Sequence, residues 1–332
     1  MRRSALSGVL FTIGGIALLA WMLARVGVAE IAADVRQVGW MLVAIVAIGG
    51  LRFLLRALAW RLCLEPPHAL SLGDAFAAVV CGDTIGNLTP LGPLVGEPAK
   101  AAFVRGRVAL GPAVTALAIE NVLYTLSAAA MIASGMVALL VTFQPPSAVR
   151  GVGEIAVAAT LALFAIALIM LWRQPVLISR ALGLAPPLRR HAARMQEIET
   201  RIYTFASRHR AALPALAAAE MGFHALGVAE IYLTLWILNG SAPSLLTAFI
   251  LETANRLITV VFKFIPLRLG VDEAATAYIS QVLGLGTRSG LSMAIIRKLR
   301  MLFWALAGGV LLVREGLLQR ASQIPQDQAE RG

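Results

Sequence analysis

Runs of about 20 consecutive apolar residues recur along almost the whole chain, and they constrain the fold more than any motif does. A helix of that length spans the hydrocarbon core of a bilayer, which is roughly 30 Å thick. Seven such runs cover residues 8–26, 39–62, 108–141, 153–172, 213–238, 245–265 and 289–313. Hydrophobic residues make up 59% of the 332 residues, which is more apolar surface than a soluble chain of this length can bury. The sequence therefore predicts an all-α polytopic membrane protein.

Arginine and lysine residues are concentrated in alternate loops between these runs. Arg2 and Arg3 precede the first run, and eight arginines fall within residues 173–212. Cytoplasmic loops of membrane proteins are enriched in these residues, so we expect a multi-pass protein of the cell inner membrane with a cytoplasmic N-terminus. Topology and attraction to anionic lipid account for most of the formal charge of +11, and we expect no nucleic-acid partner.

The interval 81–100, CGDTIGNLTPLGPLVGEPAK, interrupts the apolar pattern with three prolines and four glycines. Prolines remove backbone donors and glycines permit unusual turns, so we do not expect a continuous spanning helix here. Irregular backbone at membrane depth is tolerated only where it is buried in protein or lines a polar cavity. Because both flanks are basic, we predict a re-entrant segment that enters from the cytoplasm.

A second copy of this interval occurs 176 positions later, where PLGPLVGEPAKA (90–101) aligns with PLRLGVDEAATA (266–277) at six of twelve positions. Internal repeats are common in secondary transporters, whose sites form at broken helices. We therefore predict two repeats, about 39–141 and 213–313, each with a re-entrant segment, the second over 266–287. With seven or eight spans, residues 1–318 would form one integral membrane domain, followed by a polar tail over 319–332. The count depends on whether 108–141 forms one helix or two.

The basic loop between the repeats contains an amphipathic stretch. Its apolar residues recur at helical spacing and are Leu188, Met195, Ile198, Ile202 and Phe205. Such a helix lies on the cytoplasmic membrane interface or packs on the protein's own loops, and the sequence leaves both alternatives open.

Ionisable residues also lie within the predicted spans. A charge at the bilayer centre costs roughly 2.5–3.5 kcal/mol on insertion scales, so such groups face inward and pair. Glu252, Asn255, Arg256 and Lys263 share one helix face, and Arg52, Arg56 and Trp60 share another. We predict a polar cavity that opens towards the cytoplasm. The residues predicted to bind lipid are Asn87, Glu97, Lys100, Glu120, Glu252, Asn255, Arg256, Lys263, Glu273 and Arg297.

Six further residues are predicted to shape the backbone around this cavity, namely Pro90, Gly92, Gly96, Pro98, Pro266 and Gly270. Helix N-termini are expected near Glu97–Ala99 and Asp272–Ala274. Glu97 and Glu273 therefore have an alternative role as caps of those termini, since acids are favourable there. Arg61, Lys298 and Arg300 are expected to form structural ion pairs or to extend to the membrane surface.

Motifs for nucleotide, metal or covalent chemistry are missing from the sequence. We find no Walker-type, H-E-x-x-H or G-x-S-x-G pattern, and the four histidines are scattered. The two cysteines, Cys63 and Cys81, are expected to be free and buried. We therefore expect no metal, no cofactor and no catalytic residue, and a protein that is not an enzyme.

Four stretches of the chain resemble a known family. They are NLTPLGPLVGEPAKA (87–101), LLTAFILETANRLI (245–258), FKFIPLRLGVDEAA (262–275) and LSMAIIRKLRMLFWALAGG (291–309). They are similar to the lysylphosphatidylglycerol synthase transmembrane, or flippase-like, family over about 5–315, and the second-half block also resembles its hopanoid-associated branch. Arg268 departs from the small or apolar residue usual in the family. The candidate site residues carried over by this resemblance are Asn87, Pro90, Gly96, Glu97, Lys100, Glu252, Arg256, Pro266, Gly270, Glu273 and Arg297.

The resemblance implies a role in moving or handling a polar lipid, such as a phospholipid, an aminoacyl-lipid or a hopanoid-type lipid. The best-known members carry an additional cytoplasmic aminoacyltransferase domain, which we do not identify here, so lipid lysylation is not expected. The leading hypothesis is a lipid flippase or transporter with a membrane lipid as its partner. The alternatives are an intramembrane lipid-modifying transferase and a scaffold that recruits lipid-synthesis enzymes through the basic loop. The oligomeric state stays open.

Overall fold

The computed structural model describes residues 18–89, 92–184 and 186–329, except for the side chains of 93, 186–188 and 316–329. Every regular element among these residues is a helix. The described part of α1 covers 18–26. The other helices are α2 Val28–Val38, α3 Met41–Leu62, α4 Leu72–Leu88, α5 Gly92–Phe103, α6 Leu110–Thr142, α7 Ser147–Arg173, α8 Leu177–Leu184, α9 Ala192–Arg208, α10 Leu213–Asn239, α11 Leu245–Val261, α12 Val271–Val282 and α13 Gly286–Ala329.

Four helical stretches among the described residues are long and apolar enough to cross a membrane. They are Met41–Leu62, Leu110–Thr142, Ser147–Arg173 and Arg210–Asn239. This confirms the all-α, multi-pass membrane class. The apolar run at 108–141 forms the single helix α6 of 33 residues. The total of seven or eight spans stays a prediction, because α11 has only 17 residues and α13 carries Arg297, Lys298 and Arg300.

Helices α4 and α5 form an antiparallel pair, here called hairpin A. Ser71 caps α4 by accepting a hydrogen bond from the Asp74 amide at 3.0 Å. The open ends of the hairpin are joined by an ion pair of 2.9 Å between Arg107 Nε and Asp74 Oδ1. Since the helix stops at Leu88 and resumes at Gly92, the predicted absence of a continuous helix through 81–100 is confirmed.

The details within hairpin A differ from our expectations. Helix α5 begins at Gly92 rather than near Glu97–Ala99, and Pro98 lies inside it. Pro98 is the seventh residue of α5 and removes a backbone donor there, but the helix continues to Phe103. Pro90, predicted to break the helix, lies outside the described residues.

The glycines of hairpin A allow close packing of two helices rather than turns. A Cβ atom on Gly96 would lie 2.7 Å from the carbonyl oxygen of Gly82, and a Cβ on Gly86 would lie 3.3 Å from that of Gly92. Real side chains do not fit at the first of these distances. The backbones of α4 and α5 therefore touch because these positions have no side chain.

Helices α11 and α12 form a second pair, hairpin B. Its turn contains a short 3-10 helix, Pro266–Arg268, and three residues with positive φ, namely Leu267, Arg268 and Gly270. We predicted 245–265 as a complete span followed by a separate re-entrant segment. The structure instead returns the chain through α12 to the side on which α11 began, where Ser289 Oγ lies 3.4 Å from Asn239 Oδ1.

The two hairpins open on opposite faces of the molecule. Helices α3 and α10 are antiparallel, with Gln37 bonded to the Ile237 carbonyl at one end and Glu65 paired with Arg201 at the other. Hairpin A opens on the Glu65 side, here called the basic face because residues 173–212 lie there. Hairpin B opens on the Gln37 side, here called the opposite face. With 245–265 as a complete span, the second segment would have started on the basic face, and the structure does not show this.

Helix order and packing repeat between the two halves. Each half has a long helix, a 17-residue helix, a 12-residue helix and another long helix, as α3–α6 and as α10–α13. Helix α3 packs on its counterpart α10, while α4 packs on α13 and α11 packs on α6. Exchanging the halves leaves this packing unchanged, and their antiparallel orientation makes the repeat an inverted one.

Helix α9 packs on the protein itself, which was one of the two alternatives for the amphipathic stretch. Phe205 is buried among apolar residues of α3, α6 and α10, and Ile202 packs against the same cluster. The carboxylate of Glu199 accepts backbone N–H bonds from Ile178 at 2.7 Å and Ser179 at 3.2 Å, which caps the start of α8. The side chain of Leu188 lies outside the described residues.

Replacing Gly96 with alanine should separate α4 from α5. Overpacking of this kind typically costs about 1–3 kcal/mol, so we expect the Gly96→Ala protein to melt several degrees below wild type in detergent. Gly151→Ala in α7 is the control, because a Cβ there meets nothing within 4 Å. Equal melting temperatures for both variants would contradict the close approach described for hairpin A.

Cysteine labelling should reveal the inverted orientation. In protein with Cys63 and Cys81 replaced by alanine, Ala69→Cys and Arg190→Cys should react with an impermeant maleimide from the cytoplasmic side. Ser147→Cys and Ser241→Cys should react from outside, because they lie on the opposite face. All four side chains are exposed. Labelling of Ala69→Cys and Ser241→Cys from one side would rule out hairpins that open on opposite faces.

Candidate functional site

A cavity of about 260 Å³ lies where the tips of the two hairpins meet. The tips touch through Arg268 of hairpin B, whose Nη1 lies 3.4 Å from Asn87 Oδ1 of hairpin A. Helices α3, α6 and α13 supply most of the remaining wall. Eight cationic side chains line it, namely Arg52, Arg56, Lys100, Arg256, Lys263, Arg268, Arg297 and Arg300, against two carboxylates, Asp83 and Glu97.

Seven of the ten residues predicted to bind lipid line this cavity. They are Asn87, Glu97, Lys100, Asn255, Arg256, Lys263 and Arg297. Glu120, Glu252 and Glu273 lie behind the wall, where they hold other side chains. The prediction omitted several lining residues, namely Arg52, Arg56, Asp83, Asn121, Tyr124, Arg268 and Arg300. The sequence signal that could have identified Arg52 and Arg56 was their spacing of four residues within one predicted span.

Glu252 is the anionic centre behind the cation-lined wall and is 1% exposed. Its Oε1 accepts hydrogen bonds from Arg256 and, at 3.3 Å, from Arg52. Its Oε2 accepts a hydrogen bond from Asn255 Nδ2 at 3.2 Å. Arg256 also donates to the Tyr124 hydroxyl at 3.1 Å. Glu252 therefore aligns a guanidinium from α3 and another from α11 along one wall.

A second carboxylate, Glu120, supports Arg56 in the same way. Its Oε1 lies 2.8 Å from Arg56 Nη1, and its Oε2 accepts a hydrogen bond from Nη2 at 3.1 Å. The Arg56 guanidinium also lies 3.9 Å from the ring centroid of Tyr124, which adds a cation–π contact. Arg56 is thus held between a carboxylate and an aromatic face.

Arg300, expected to be purely structural, also reaches the wall. Its Nε lies 2.8 Å from Oε1 of Glu230 on α10, and the other carboxylate oxygen of Glu230 accepts from Arg52 at 3.2 Å. The expected structural role is therefore present, but Arg300 lines the cavity at the same time.

Glu97 does not cap a helix, because it lies in the second turn of α5. Its Oε1 accepts a hydrogen bond from Lys100 Nζ at 2.6 Å, and its Oε2 accepts one from Asn121 Nδ2 at 2.9 Å. The side chain remains 35% exposed towards the cavity. On α4, the other helix of hairpin A, Asp83 accepts a hydrogen bond from Asn87 at 2.7 Å. Hairpin A thus presents two carboxylates to a wall that is otherwise cationic.

Glu273, at the equivalent position of hairpin B, is a helix cap. Helix α12 begins at Val271, which confirms the N-terminus expected near Asp272–Ala274. Glu273 Oε2 accepts the backbone N–H of Gly270 at 2.7 Å, and Lys298 Nζ lies 3.4 Å from Oε1. Lys298 also contacts Asp272 at 3.1 Å. Glu273 therefore has the capping role that the sequence offered as an alternative. Lys298 forms structural ion pairs, as expected.

Four buried arginine donors in the cavity wall have no hydrogen-bond partner among the described residues. Nη1 of Arg56 and Nε of Arg300 each lie 2.8 Å from a carboxylate oxygen, and the other two are Nη1 of Arg297 and Nε of Arg256. Arg297 is 8% exposed and donates through Nη2 to Thr276 Oγ1 at 3.0 Å. A buried donor without a partner costs about 1–3 kcal/mol, and buried polar groups are normally bonded. An anionic oxygen beside Arg297 Nη1 or Arg256 Nε would satisfy that donor.

The cavity is bordered by exposed apolar side chains as well as by charge. Val260 and Lys263 belong to its wall, and both are exposed on the α11 side. Leu94, near the tip of hairpin A, is 73% exposed. Exposed apolar surface of this kind marks contact with lipid, a ligand or another protein. A lipid therefore finds apolar surface directly beside the polar cavity.

Metal chemistry finds no support in the described part of the chain, where no group of three or more His, Cys, Asp or Glu side chains is placed to hold an ion. Cys63 and Cys81 are free and buried, as predicted.

Glu252→Gln should destabilise the protein far more than Glu97→Gln. Removing the Glu252 charge leaves Arg52 and Arg256 short of a buried partner, and breaking a buried pair typically costs 3–5 kcal/mol, roughly. Glu97 is partly exposed, so its replacement should cost less. Melting temperatures in detergent provide the measurement. A Glu97→Gln variant that melts below Glu252→Gln would reverse the assigned roles.

No curated protein and no solved structure matches the chain. The family model described as "Lysylphosphatidylglycerol synthase TM region" matches residues 5–309. That match covers most of the 332 residues, including both hairpins and every helix that lines the cavity. The chain therefore belongs to the lysylphosphatidylglycerol synthase TM region family.

Proposed function

We propose that this protein moves a polar lipid with an anionic headgroup between the leaflets of the cell inner membrane. The observation that carries the proposal is the cation-lined cavity at the meeting point of two hairpins from opposite faces. The 12-residue helices of the hairpins are too short to cross a bilayer, and the 17-residue helices are shorter than a typical span of about 20 residues. We interpret both as re-entrant segments whose tips meet near mid-membrane.

The headgroup phosphate would bind to the free donors of Arg256 and Arg297. Arginine suits this role, because its planar guanidinium presents several donors to phosphate oxygens. Lys263 is exposed at the edge of the same wall and would meet the phosphate on entry. Glu97 and Asp83 face the cavity from hairpin A, so a cationic group on the headgroup would have a partner there.

The acyl chains would stay in the surrounding lipid. Val260, Val261 and Phe264 of hairpin B and Leu94 of hairpin A are all exposed apolar residues beside the hairpin tips. Such a surface lets the chains travel alongside the protein while only the headgroup crosses through the cavity. This arrangement requires no cofactor, and the membrane lipid is the only partner that it needs.

Transport is favoured over lipid modification by the composition of the cavity wall. A transferase needs an activated nucleophile or a general base next to its substrate. The described wall contains no serine, cysteine or histidine side chain, although Asp83 and Glu97 are present. The packing of α9 on the protein's own core leaves less of the basic loop for recruiting other enzymes. Assignment to the hopanoid-associated branch stays a prediction.

Arg297→Gln tests the proposal with little risk to folding, because Arg297 forms no ion pair within 4 Å among the described residues. A hydrogen bond to a charged group contributes about 1.5–3 kcal/mol, so lipid movement should fall at least about tenfold at unchanged melting temperature. The measurement is protection of fluorescent phosphatidylglycerol from an impermeant quencher in liposomes.

Arg314→Gln is the matched control, since Arg314 is an exposed arginine of the same helix. It should move lipid at the wild-type rate. Wild-type protein that moves no lipid, or Arg297→Gln protein that moves it normally, would refute the proposed function.

A further inference from the structure

A buried polar cluster adjoins the cavity at the α3–α10 contact. One cation, Arg56, faces two carboxylates there. Glu120 contacts it through both oxygens, whereas Glu220 approaches it only through Oε1, at 4.0 Å. Glu220 is 5% exposed, and its Oε1 accepts no hydrogen bond from the described residues. Glu220 is therefore the surplus acid of the cluster, meaning the carboxylate that has no closely paired cation. Burying an ionised carboxylate without a closely paired cation is costly.

The contacts of Ser127 show how this surplus is resolved. Ser127 Oγ lies 2.9 Å from the Tyr124 carbonyl oxygen, 3.1 Å from Glu220 Oε2 and 3.1 Å from His224 Nε2. A hydroxyl supplies one hydrogen and two lone pairs. A carbonyl and an ionised carboxylate only accept, so with Glu220 ionised they compete for a single hydrogen.

A proton on Glu220 removes the competition. The Glu220 O–H then donates to Ser127 Oγ, the serine hydroxyl donates to the Tyr124 carbonyl, and the Nε2–H of His224 donates to the second lone pair of Oγ. All three contacts become hydrogen bonds. The remaining ring nitrogen, Nδ1 of His224, is buried without a hydrogen-bond partner among the described residues. This nitrogen is therefore left to exchange a proton with a further partner, such as water.

The charges around Glu220 come from several elements. Helix α3 contributes Arg56, and α6 contributes Glu120 and Ser127. Farther away, Arg256 of α11 is already held by Glu252, and Lys100 of α5 by Glu97. Helices α2 and α13 place no ion pair or hydrogen bond on Glu220 within the described part of the chain. Arg56 is thus the cation that Glu220 shares with the cavity.

We propose that Glu220, with Ser127 and His224, is a proton-binding site that couples anion binding in the cavity to proton uptake. The inference rests on the proposed function, because it assigns the coupling ion of the same cavity. Protonation forms an O–H bond on Glu220 with a proton from water, and ionisation returns that proton to water. When Glu220 is neutral, Arg56 has only Glu120 to balance it, and the cavity gains attraction for an anion.

This coupling is reciprocal. If protonated Glu220 strengthens anion binding, then a bound anion strengthens proton binding by the same factor. A headgroup would therefore enter together with a proton and leave when the proton is lost. For one proton per lipid, each unit of pH difference across the membrane would drive accumulation by about tenfold, since a tenfold concentration ratio corresponds to about 1.4 kcal/mol.

Calorimetry measures the predicted proton uptake directly. Six-carbon-chain phosphatidylglycerol is titrated into the detergent-solubilised protein in buffers of different ionisation enthalpy, across the acidic to neutral range. Wild type should take up a fraction of a proton per lipid bound, and Glu220→Gln should take up none while still binding. Equal uptake in the two proteins, or no uptake by wild type at any pH, would overturn the inference.

Liposomes with an imposed pH gradient test the same coupling in transport. Wild type should accumulate fluorescent phosphatidylglycerol in the leaflet facing the alkaline side, whereas Glu220→Gln should only equilibrate it. Ser127→Ala keeps Glu220 ionisable but removes the hydroxyl that hydrogen-bonds it, so the pH midpoint of transport should move. Glu154→Gln, the same change at an exposed site on α7, should behave as wild type.

The results separate the two proposals. Wild type that moves no lipid under any condition counts against the proposed function itself. Wild type that moves lipid at a rate independent of the gradient counts against the coupling alone. An unchanged pH midpoint in a folded Ser127→Ala protein would likewise overturn the role of this cluster.

Discussion

A chain of buried ion pairs connects the four helices at the centre of the molecule, and the cavity depends on it. Glu230 on α10 contacts Arg300 of α13 and Arg52 of α3, and Arg52 in turn contacts Glu252 of α11. Breaking a buried pair costs about 3–5 kcal/mol, because the remaining charge is left without water or partner. Each of these helices is therefore held at a fixed height and rotation relative to the others. The inverted packing of α3 on α10 places this chain where the two halves meet.

The two halves have diverged in what they do with equivalent positions. Lys100 and Thr276 are 176 positions apart, as are Asn121 and Arg297. In hairpin A the cation lies on the short helix, where Lys100 binds Glu97, whereas in hairpin B it lies on the following long helix, where Arg297 binds Thr276. Hairpin B is also fixed by Lys298, which contacts both Asp272 and Glu273. Hairpin A is held by backbone contacts between glycines and by a half-exposed polar network, so it is the less constrained of the two.

Much of this architecture follows from local sequence. Apolar runs predicted α3, α6 and α10 to within two residues, whereas α7 begins six residues earlier than predicted and α13 continues sixteen residues beyond the predicted end. The proline–glycine interval predicted the break between Leu88 and Gly92. The orientation of hairpin B was not predicted, because a sequence repeat does not show on which face of the molecule the second hairpin opens. That information lies in long-range pairs such as Ser289 with Asn239. The different roles of Glu97 and Glu273 were also unresolved, since both occupy the same motif and only the start of each helix distinguishes a cap from a lining residue.

Pairing within the protein also bears on the proposed transport. Six of its eight cations already have a carboxylate within 4 Å, namely Arg52, Arg56, Lys100, Arg256, Arg268 and Arg300. An entering phosphate must therefore compete with the protein's own carboxylates for six of the eight cations. Only Arg297 and Lys263, among the described lining cations, would interact with the phosphate without such competition. Competition of this kind keeps the empty cavity stable in a low-dielectric setting. Under the proposed function it would also limit the affinity for a headgroup, which would favour release of the lipid.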